Sequence, residues 1–252
     1  MKVSRSRFEQ LIEEALAHDF SGWDFSWLRG RWEEAEPSWN YRQLVLERLE
    51  QVDALLDMGT GGGEFLASLG RLPDITWATE SYPPNIPIAR QRLAPLGVRV
   101  VAFTDDAALP LPDATFQLVI NRHESYDPAE IYRVLRPGGT FLTQQVGSTD
   151  CIQLNQFLGA PGGPEGSWQL DTEARRLEEA GLRVVRQAEE FPTSVFYDIG
   201  AVVFYLKVIS WQIPDFSVEK YHERLLAMHA LIEREGAFHA KAHRCLIEAV
   251  KR

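Results

Sequence analysis

Hydrophobic residues near the amino end of the chain repeat every three or four positions. Phe8, Leu11, Ile12 and Leu16 share one face, so Ser4 to His18 reads as an amphipathic helix. Phe20 to Pro37 loses that period and gains aromatics, with Trp23, Phe25, Trp27 and Trp32 beside Arg29 and Arg31. Linkers are seldom so aromatic, so this stretch reads as an ordered loop. Helical spacing returns from Asn40 to Leu49. Short apolar runs then predict strands at 53–58, 75–80, 98–103, 116–121 and 139–146, with helices at 62–70, 84–94 and 127–136. Such alternation is the pattern of a parallel sheet covered by helices on both faces.

After residue 146 the pattern changes. Gly159 to Gly166 reads as a loop, and Asp171 is placed to cap a helix that ends at Gly181. Leu182 to Glu190 predicts a strand. Residues 198–211 and 217–235 predict two helices separated by Pro214, and His243 to Lys251 predicts a last strand. The chain therefore divides into a helical and aromatic cap over residues 1–50 and an α/β domain over 51–252. A helical insert at about 195–240 precedes the final strand.

Composition excludes several classes. The 252 residues hold 26 Lys and Arg against 36 Asp and Glu, a net charge of −10. That balance opposes non-specific attraction to nucleic acid. The longest apolar stretch, Ile199 to Trp211, contains Lys207 and is too short to span a bilayer. The basic start runs directly into Glu9, Glu13 and Glu14, which rules out a signal-peptide core. Two cysteines, Cys151 and Cys245, form no framework and suit a reducing, cytoplasmic setting. His239 and His243 are four apart, but no third ligand follows at a helpful spacing, so no metal is expected.

The most informative segment is Ala54-Leu-Leu-Asp-Met-Gly-Thr-Gly-Gly-Gly-Glu-Phe-Leu66. An apolar strand ends in Asp57 and a glycine turn leads into a helix. The G-x-G-x-x-G/A dinucleotide fingerprint fails, because its sixth position falls on Glu64 or Leu66. A P-loop fails because no Gly-Lys-Ser/Thr follows. The spacing Asp-x-Gly-x-Gly-x-Gly instead resembles motif I of the class I S-adenosylmethionine-dependent methyltransferases. Two later stretches carry the same resemblance. Leu109-Pro-Leu-Pro-Asp-Ala-Thr-Phe-Gln-Leu-Val-Ile120 is similar to the family's loop into its fourth strand. Glu130-Ile-Tyr-Arg-Val-Leu-Arg-Pro-Gly-Gly-Thr-Phe-Leu142 is similar to its helix, Pro-Gly-Gly turn and fifth strand. Gln117 departs from the family's usual Asp. The match covers about residues 53–146.

The resemblance implies a Rossmann-like α/β fold with a seven-stranded, mostly parallel sheet and an antiparallel last strand. It implies S-adenosylmethionine as cofactor and S-adenosylhomocysteine as product. Cofactor contacts are then expected from Asp57, Gly59, Thr60, Gly61 and Gly63, and from Glu80 and Ser81 at the end of the second strand. Asp105, Asp106 and Ala107 follow the third, with Asp106 preferred for the adenine amino group, and Asn121 ends the fourth. Arg31, or its neighbour Arg29, is a candidate clamp for the cofactor carboxylate. His123 and Glu124 are the candidate catalytic groups, since either could serve as a general base. The expected acceptor is a small molecule and the expected assembly a monomer or homodimer without a membrane partner. An RNA base methyltransferase and a non-catalytic cofactor binder remain open alternatives.

Overall fold

The computed structural model of the protein describes residues 6–20, 24–162 and 168–252. Trp23, Ser4 and the Gly163–Gly166 part of the expected loop lie outside the described residues. In chain order the elements are α1 (Arg7–Ala17), β1 (Trp32–Glu34), α2 (Tyr41–Leu49), β2 (Ala54–Met58), α3 (Glu64–Ser68), β3 (Ile75–Glu80) and α4 (Asn85–Leu93). Next come β4 (Arg99–Ala102), β5 (Phe116–Arg122), α5 (Pro128–Val134), β6 (Leu135–Val146), α6 (Ile152–Leu158) and α7 (Leu170–Glu179). The chain closes with β7 (Leu182–Glu190), β8 (Thr193–Phe196), α8 (Ile199–Val208), α9 (Val218–Glu235), β9 (Phe238–Lys241) and β10 (Arg244–Lys251).

Seven strands form the main sheet in the order β4-β3-β2-β5-β6-β10-β7. The pairs β4·β3, β3·β2, β2·β5 and β5·β6 are parallel, while β10 runs antiparallel to both its neighbours. This is the expected fold class: six strands share one direction and the last in sequence opposes them. β2 is buried along its whole length because helices cover both faces. Leu56 and Met58 pack towards α5 and α7, whereas Leu55 packs towards α2, α3 and α4.

Several boundaries differ from the sequence reading. The helix expected at 127–136 stops at Val134, since Pro137 disfavours helical backbone at Arg136. Leu135 instead pairs with Phe116 and lengthens β6. Asp171 lies inside the first turn of α7; the cap position is Gln169, without a side-chain capping bond. Gln117 accepts the Asp53 N–H at 2.7 Å, so the departure from Asp serves the floor of the sheet.

A second, three-stranded sheet was not expected. β1 and β9 flank β8, both antiparallel. The amino-terminal segment and the insert thus form one layer, with α8 buried at its centre among α1, α6 and α9. Trp27 and Phe204 pack 4.7 Å apart, and Tyr205 lies beside Trp32 and Phe196. Lys207, the one charge in this apolar stretch, donates to the Leu16 and His18 carbonyls at 2.8 Å. It thereby satisfies carbonyls at the end of α1. Among the described residues, no helix is long and apolar enough to cross a membrane.

Arg244 ties this layer to the sheet. Its guanidinium donates to Asp150 Oδ1 at 2.6 Å and to Glu34 at 2.9 and 2.5 Å. Asp150 also accepts the His243 N–H at 2.7 Å and the Tyr205 hydroxyl at 3.1 Å. Removing one member of a buried ion cluster leaves the others desolvated and unpaired. Arg244→Met should therefore lower unfolding free energy by about 3–5 kcal/mol in urea denaturation. A loss below about 1 kcal/mol would mean that the cluster is not a tether.

Candidate active site

β2 delivers Asp57 to the carboxyl edge of the sheet, and the chain then turns through Gly59 to Gly63. Gly59, Gly61 and Gly63 have φ of +65°, +60° and +83°, a region where a side chain is strained. At Gly59 a Cβ would also collide with the Glu124 side chain. Thr60 Oγ1 donates to Asp57 Oδ2 at 2.7 Å, and the Thr60 N–H bonds the Thr79 carbonyl at 2.9 Å. Glu80, ending β3, is almost fully buried. Its Oε2 accepts the Gly61 N–H at 2.7 Å and its Oε1 the Tyr82 N–H at 2.8 Å. Glu80 thus joins the glycine turn to the loop before α4, while each oxygen keeps a further acceptor position. Ser81 is half-buried beside it. The helix after the turn, expected over 62–70, is only the five residues of α3.

The loops after β4 and β5 complete the edge. Asp105 Oδ1 accepts the Ala107 N–H at 2.9 Å, an ordinary turn-closing bond. Asp106 points across to the next loop, where Oδ2 accepts from Ser125 Oγ at 2.6 Å, and its buried Oδ1 has no partner. Glu130 and Arg133 hold the intervening loop in place. Glu130 accepts the Leu109 N–H, and Arg133 donates to the Leu109 and Leu111 carbonyls. Asn121 is fully buried. Its Oδ1 accepts from Thr143 and Gln145 at 3.0 and 2.6 Å, but its Nδ2 has no partner. Asn85, at the start of α4, is buried with neither amide atom bonded. Nothing in its sequence setting, between Pro84 and Pro87, marks it as more than a turn residue. Unsatisfied buried polar atoms therefore occur after β3, after β4 and at the end of β5. Such groups are costly unless something bonds them.

His123 and Glu124 sit at the mouth of the same edge. Glu124 is packed against Gly59, and its carbonyl accepts from Gln145 at 2.8 Å. Burial, then the charges of Glu80 and Asp106, push its carboxyl up to about 7. Asp57 is also pushed up to about 7, chiefly by burial, against the bond from Thr60. His123 has a left-handed backbone, φ +63°, and lies exposed. Trp39 Nε1 donates to Gln144 Oε1 at 2.8 Å, which fixes that amide, because an indole can only donate. Gln144 Nε2 then faces His123 Nε2 at 3.3 Å, so the imidazole accepts there and carries its proton on Nδ1. Tyr41 reaches the same place from below, its hydroxyl bonding the Asn121 carbonyl at 2.9 Å.

Arg31 does not join this group. It donates to both oxygens of Asp198 at 2.7 and 2.8 Å and lies 3.9 Å over Trp27. Its geometry is fixed by the cap at the start of α8, which its position in sequence did not reveal. Arg122 is the cation beside the cluster: it acts on Asp57, lies 5.6 Å from the Phe65 ring and is exposed. The aromatics of the two outer segments also divide. Trp39 and Tyr41 reach the edge, whereas Trp27, Trp32, Phe196, Phe204 and Tyr205 form the cap's own core.

Residues 56–143 match the methyltransferase domain family. A 116-residue stretch is 31% identical to the ubiquinone/menaquinone biosynthesis C-methyltransferase of Neisseria gonorrhoeae, covering 41% of this chain and 47% of that protein. Another of 135 residues is 32% identical to the malonyl-[acyl-carrier protein] O-methyltransferase of a Marinomonas species, covering 47% and 50%. The chain spans about half the length of these curated relatives. Among solved structures, the Bacillus subtilis YcgJ protein superposes with TM-score 0.58 at 14% identity, over 84% of this chain and 98% of that one. A geranyl diphosphate methyltransferase bound to S-adenosylmethionine gives 0.50 at 15% identity over 84% of each chain. Those two likenesses concern the fold. Sheet order and glycine turn accord with the domain match over residues 56–143, and together they support a class I S-adenosylmethionine-dependent methyltransferase.

The raised carboxyls have a consequence for stability. Asp57 and Glu124 titrate near 7 when folded and from 3.8 and 4.5 as free groups. Between those limits the folded chain binds more protons than the unfolded chain, so their contribution falls as pH rises. The stability advantage of Glu124→Gln over wild type should therefore grow from pH 5 to 7, by up to about 1.4 kcal/mol per pH unit. Denaturation at a series of pH values checks this, and a constant difference would show that Glu124 titrates normally.

Proposed function

We propose that the protein transfers a methyl group from S-adenosylmethionine to a small-molecule acceptor. The observation that carries the reading is Glu80: a buried carboxylate at the end of β3, bonded to the glycine-turn amide and retaining acceptor positions. A carboxylate in that place suits the two ribose hydroxyls of a nucleoside. Ser81 lies beside it. Gly59, Thr60, Gly61 and Gly63 form the turn that the cofactor would face, with Glu124 packed on Gly59, Leu93 on Gly63 and Asp57 holding Thr60. Asp106 Oδ1 and Asn121 Nδ2 offer an unfilled acceptor and an unfilled donor. Asp105 and Ala107 shape the adenine side of the loop. With Arg31 bound to Asp198, Arg122 is the better partner for the cofactor carboxylate.

When bound, the cofactor supplies an electrophilic methyl on a cationic sulfonium. The chain's part is alignment, exclusion of water and management of one proton. Asp57, Glu80, Asp106 and Glu124 make the edge acidic, which complements a cation. The two curated relatives are named as a C- and an O-methyltransferase, and neither name specifies a nucleic acid. Carbon and hydroxyl acceptors gain reactivity by losing a proton, and Glu124, poised near neutral pH, is the group to take it. His123 presents Nδ1–H and orients the acceptor rather than removing its proton. The net charge of −10 disfavours an RNA substrate. Two free, buried thiols fit a cytoplasmic setting.

Calorimetry should show binding of S-adenosylhomocysteine, and Glu80→Ala should weaken it by about 1.5–3 kcal/mol, roughly 10–150-fold. Binding of NAD without any response to S-adenosylhomocysteine would sink the reading. Radiolabelled methyl transfer into a lysate, separated into small-molecule, RNA and protein fractions, identifies the acceptor class. Label in the RNA fraction, or in none, would favour the alternatives. With the acceptor in hand, Glu124→Gln should reduce kcat by roughly 10²–10⁴-fold and remove a rise in rate through about pH 7. An unchanged pH profile would exclude Glu124 as the base.

A further inference from the structure

At the far end of the same edge, three different donor atoms converge. β10 carries His243 just before it and Cys245 within it, two residues apart and therefore on one face of the sheet. The register places Glu189 of β7 directly opposite Cys245. His243 Nε2 lies 2.9 Å from Glu189 Oε1 and 3.3 Å from Cys245 Sγ, and the thiol lies 3.9 Å from the same carboxylate oxygen. Zinc bonds of about 2.0–2.3 Å at tetrahedral angles place donors roughly 3.3–3.7 Å apart. Adjustments of a few tenths of an ångström would bring all three atoms to that spacing.

We propose that Glu189, His243 and Cys245 form a binding site for a borderline-soft divalent cation of the zinc class. One nitrogen, one sulfur and one oxygen donor suit such an ion better than magnesium or calcium, which take oxygen ligands. Three protein ligands leave one position for water. The surroundings support the assignment. His243 and Cys245 are buried, and the Phe191 ring lies 4.5 Å from the imidazole. Gly147 leaves the space that the imidazole fills, because a Cβ there would collide with it.

The second nitrogen of His243 also has the partner that ligation requires. Without metal, Nδ1 accepts the Thr149 N–H at 3.3 Å and Nε2–H donates to Glu189. On binding, Nε2 gives its lone pair to the ion and the ring proton moves to Nδ1, where Thr149 Oγ1 at 2.8 Å accepts it and the Thr149 N–H gives up its 3.3 Å bond to that nitrogen. Cys245 releases its thiol proton to solvent and binds as thiolate. Burial otherwise keeps that thiol neutral, pushed up to about 12. Cys245 also faces Gln145 of β6, whose amide holds Asn121 and the Glu124 carbonyl. The ion would brace this row and the Gly147–Cys151 turn that leads from the sheet into α6. The proposal is independent of the methyl acceptor.

The experiment titrates metal-free full-length protein with Co²⁺ and follows the near-ultraviolet thiolate-to-cobalt charge-transfer absorption, with Zn²⁺ as competitor. One equivalent should bind, Zn²⁺ should abolish the absorption, and the thermal midpoint should rise with metal. Cys245→Ser should remove the absorption and His243→Gln should weaken binding at least tenfold, while Cys151→Ser should leave both unchanged. If either site variant fails to fold, the wild-type titration decides alone. Absence of a one-to-one thiolate–cobalt complex in wild type would overturn the proposal. So would its persistence in a folded Cys245→Ser protein, or its loss in Cys151→Ser.

Discussion

The buried guanidinium of Arg244 is the contact on which the arrangement of the two layers depends. A charge in that position is tolerable only because Asp150 and Glu34 surround it and because Asp150 is itself bonded by the His243 amide and Tyr205. The three charged groups come from three separate places: Glu34 from β1, Asp150 from the turn after β6, and Arg244 from the start of β10. Bringing them together fixes the small sheet against the large one. It also fixes the paths of the segments that reach the carboxyl edge. Trp39 and Tyr41, directly downstream of β1, are delivered to Gln144 and Asn121 by that anchoring.

The edge itself is built from opposing demands. Close packing of Glu124 against Gly59 requires a residue without a side chain and a left-handed backbone. Four acidic groups share a small, poorly solvated region, which raises the proton affinity of Asp57, Glu80 and Glu124. Asn85, Asp106 and Asn121 each keep a buried polar atom without a partner. Each feature costs stability, and each lies at the carboxyl end of β2, β3 or β5 or in the loops that follow β3, β4 and β5. Buried polar atoms left unpaired along a sheet's carboxyl edge are the expected mark of a binding site, although Tyr126, Trp168 and His229 carry such atoms elsewhere.

The central sheet could be read from the chain because its strands are buried on both faces and their apolar runs are continuous. Asp57, the glycines and Glu80 were readable for a related reason. Their spacing is set by local backbone geometry: a strand end, a tight turn and the next strand end. The small sheet was not readable. β1, β8 and β9 are three or four residues long and pair across more than 150 positions between Trp32 and Phe196. A pattern that short carries no period. Arg31 shows the same limit, since nothing in its neighbourhood indicates that Asp198 stands opposite.

Sequence alone determined the order of strands and helices from 53 to 146, the glycine turn, the acidic strand end and the absence of a nucleotide fingerprint of another kind. These properties follow from neighbours within a few residues, and local propensity and spacing suffice to express them. Only the tertiary structure decided which charges meet. It paired Arg31 with Asp198 and left Arg122 beside Asp57. It fixed the proton of His123 through Trp39 and Gln144, and gathered Glu189, His243 and Cys245 on one face of two strands. Each of these depends on sheet register and on the docking of distant segments. A one-residue slip in β10 would turn Cys245 to the opposite face and dissolve the group, which is why no local pattern could announce it.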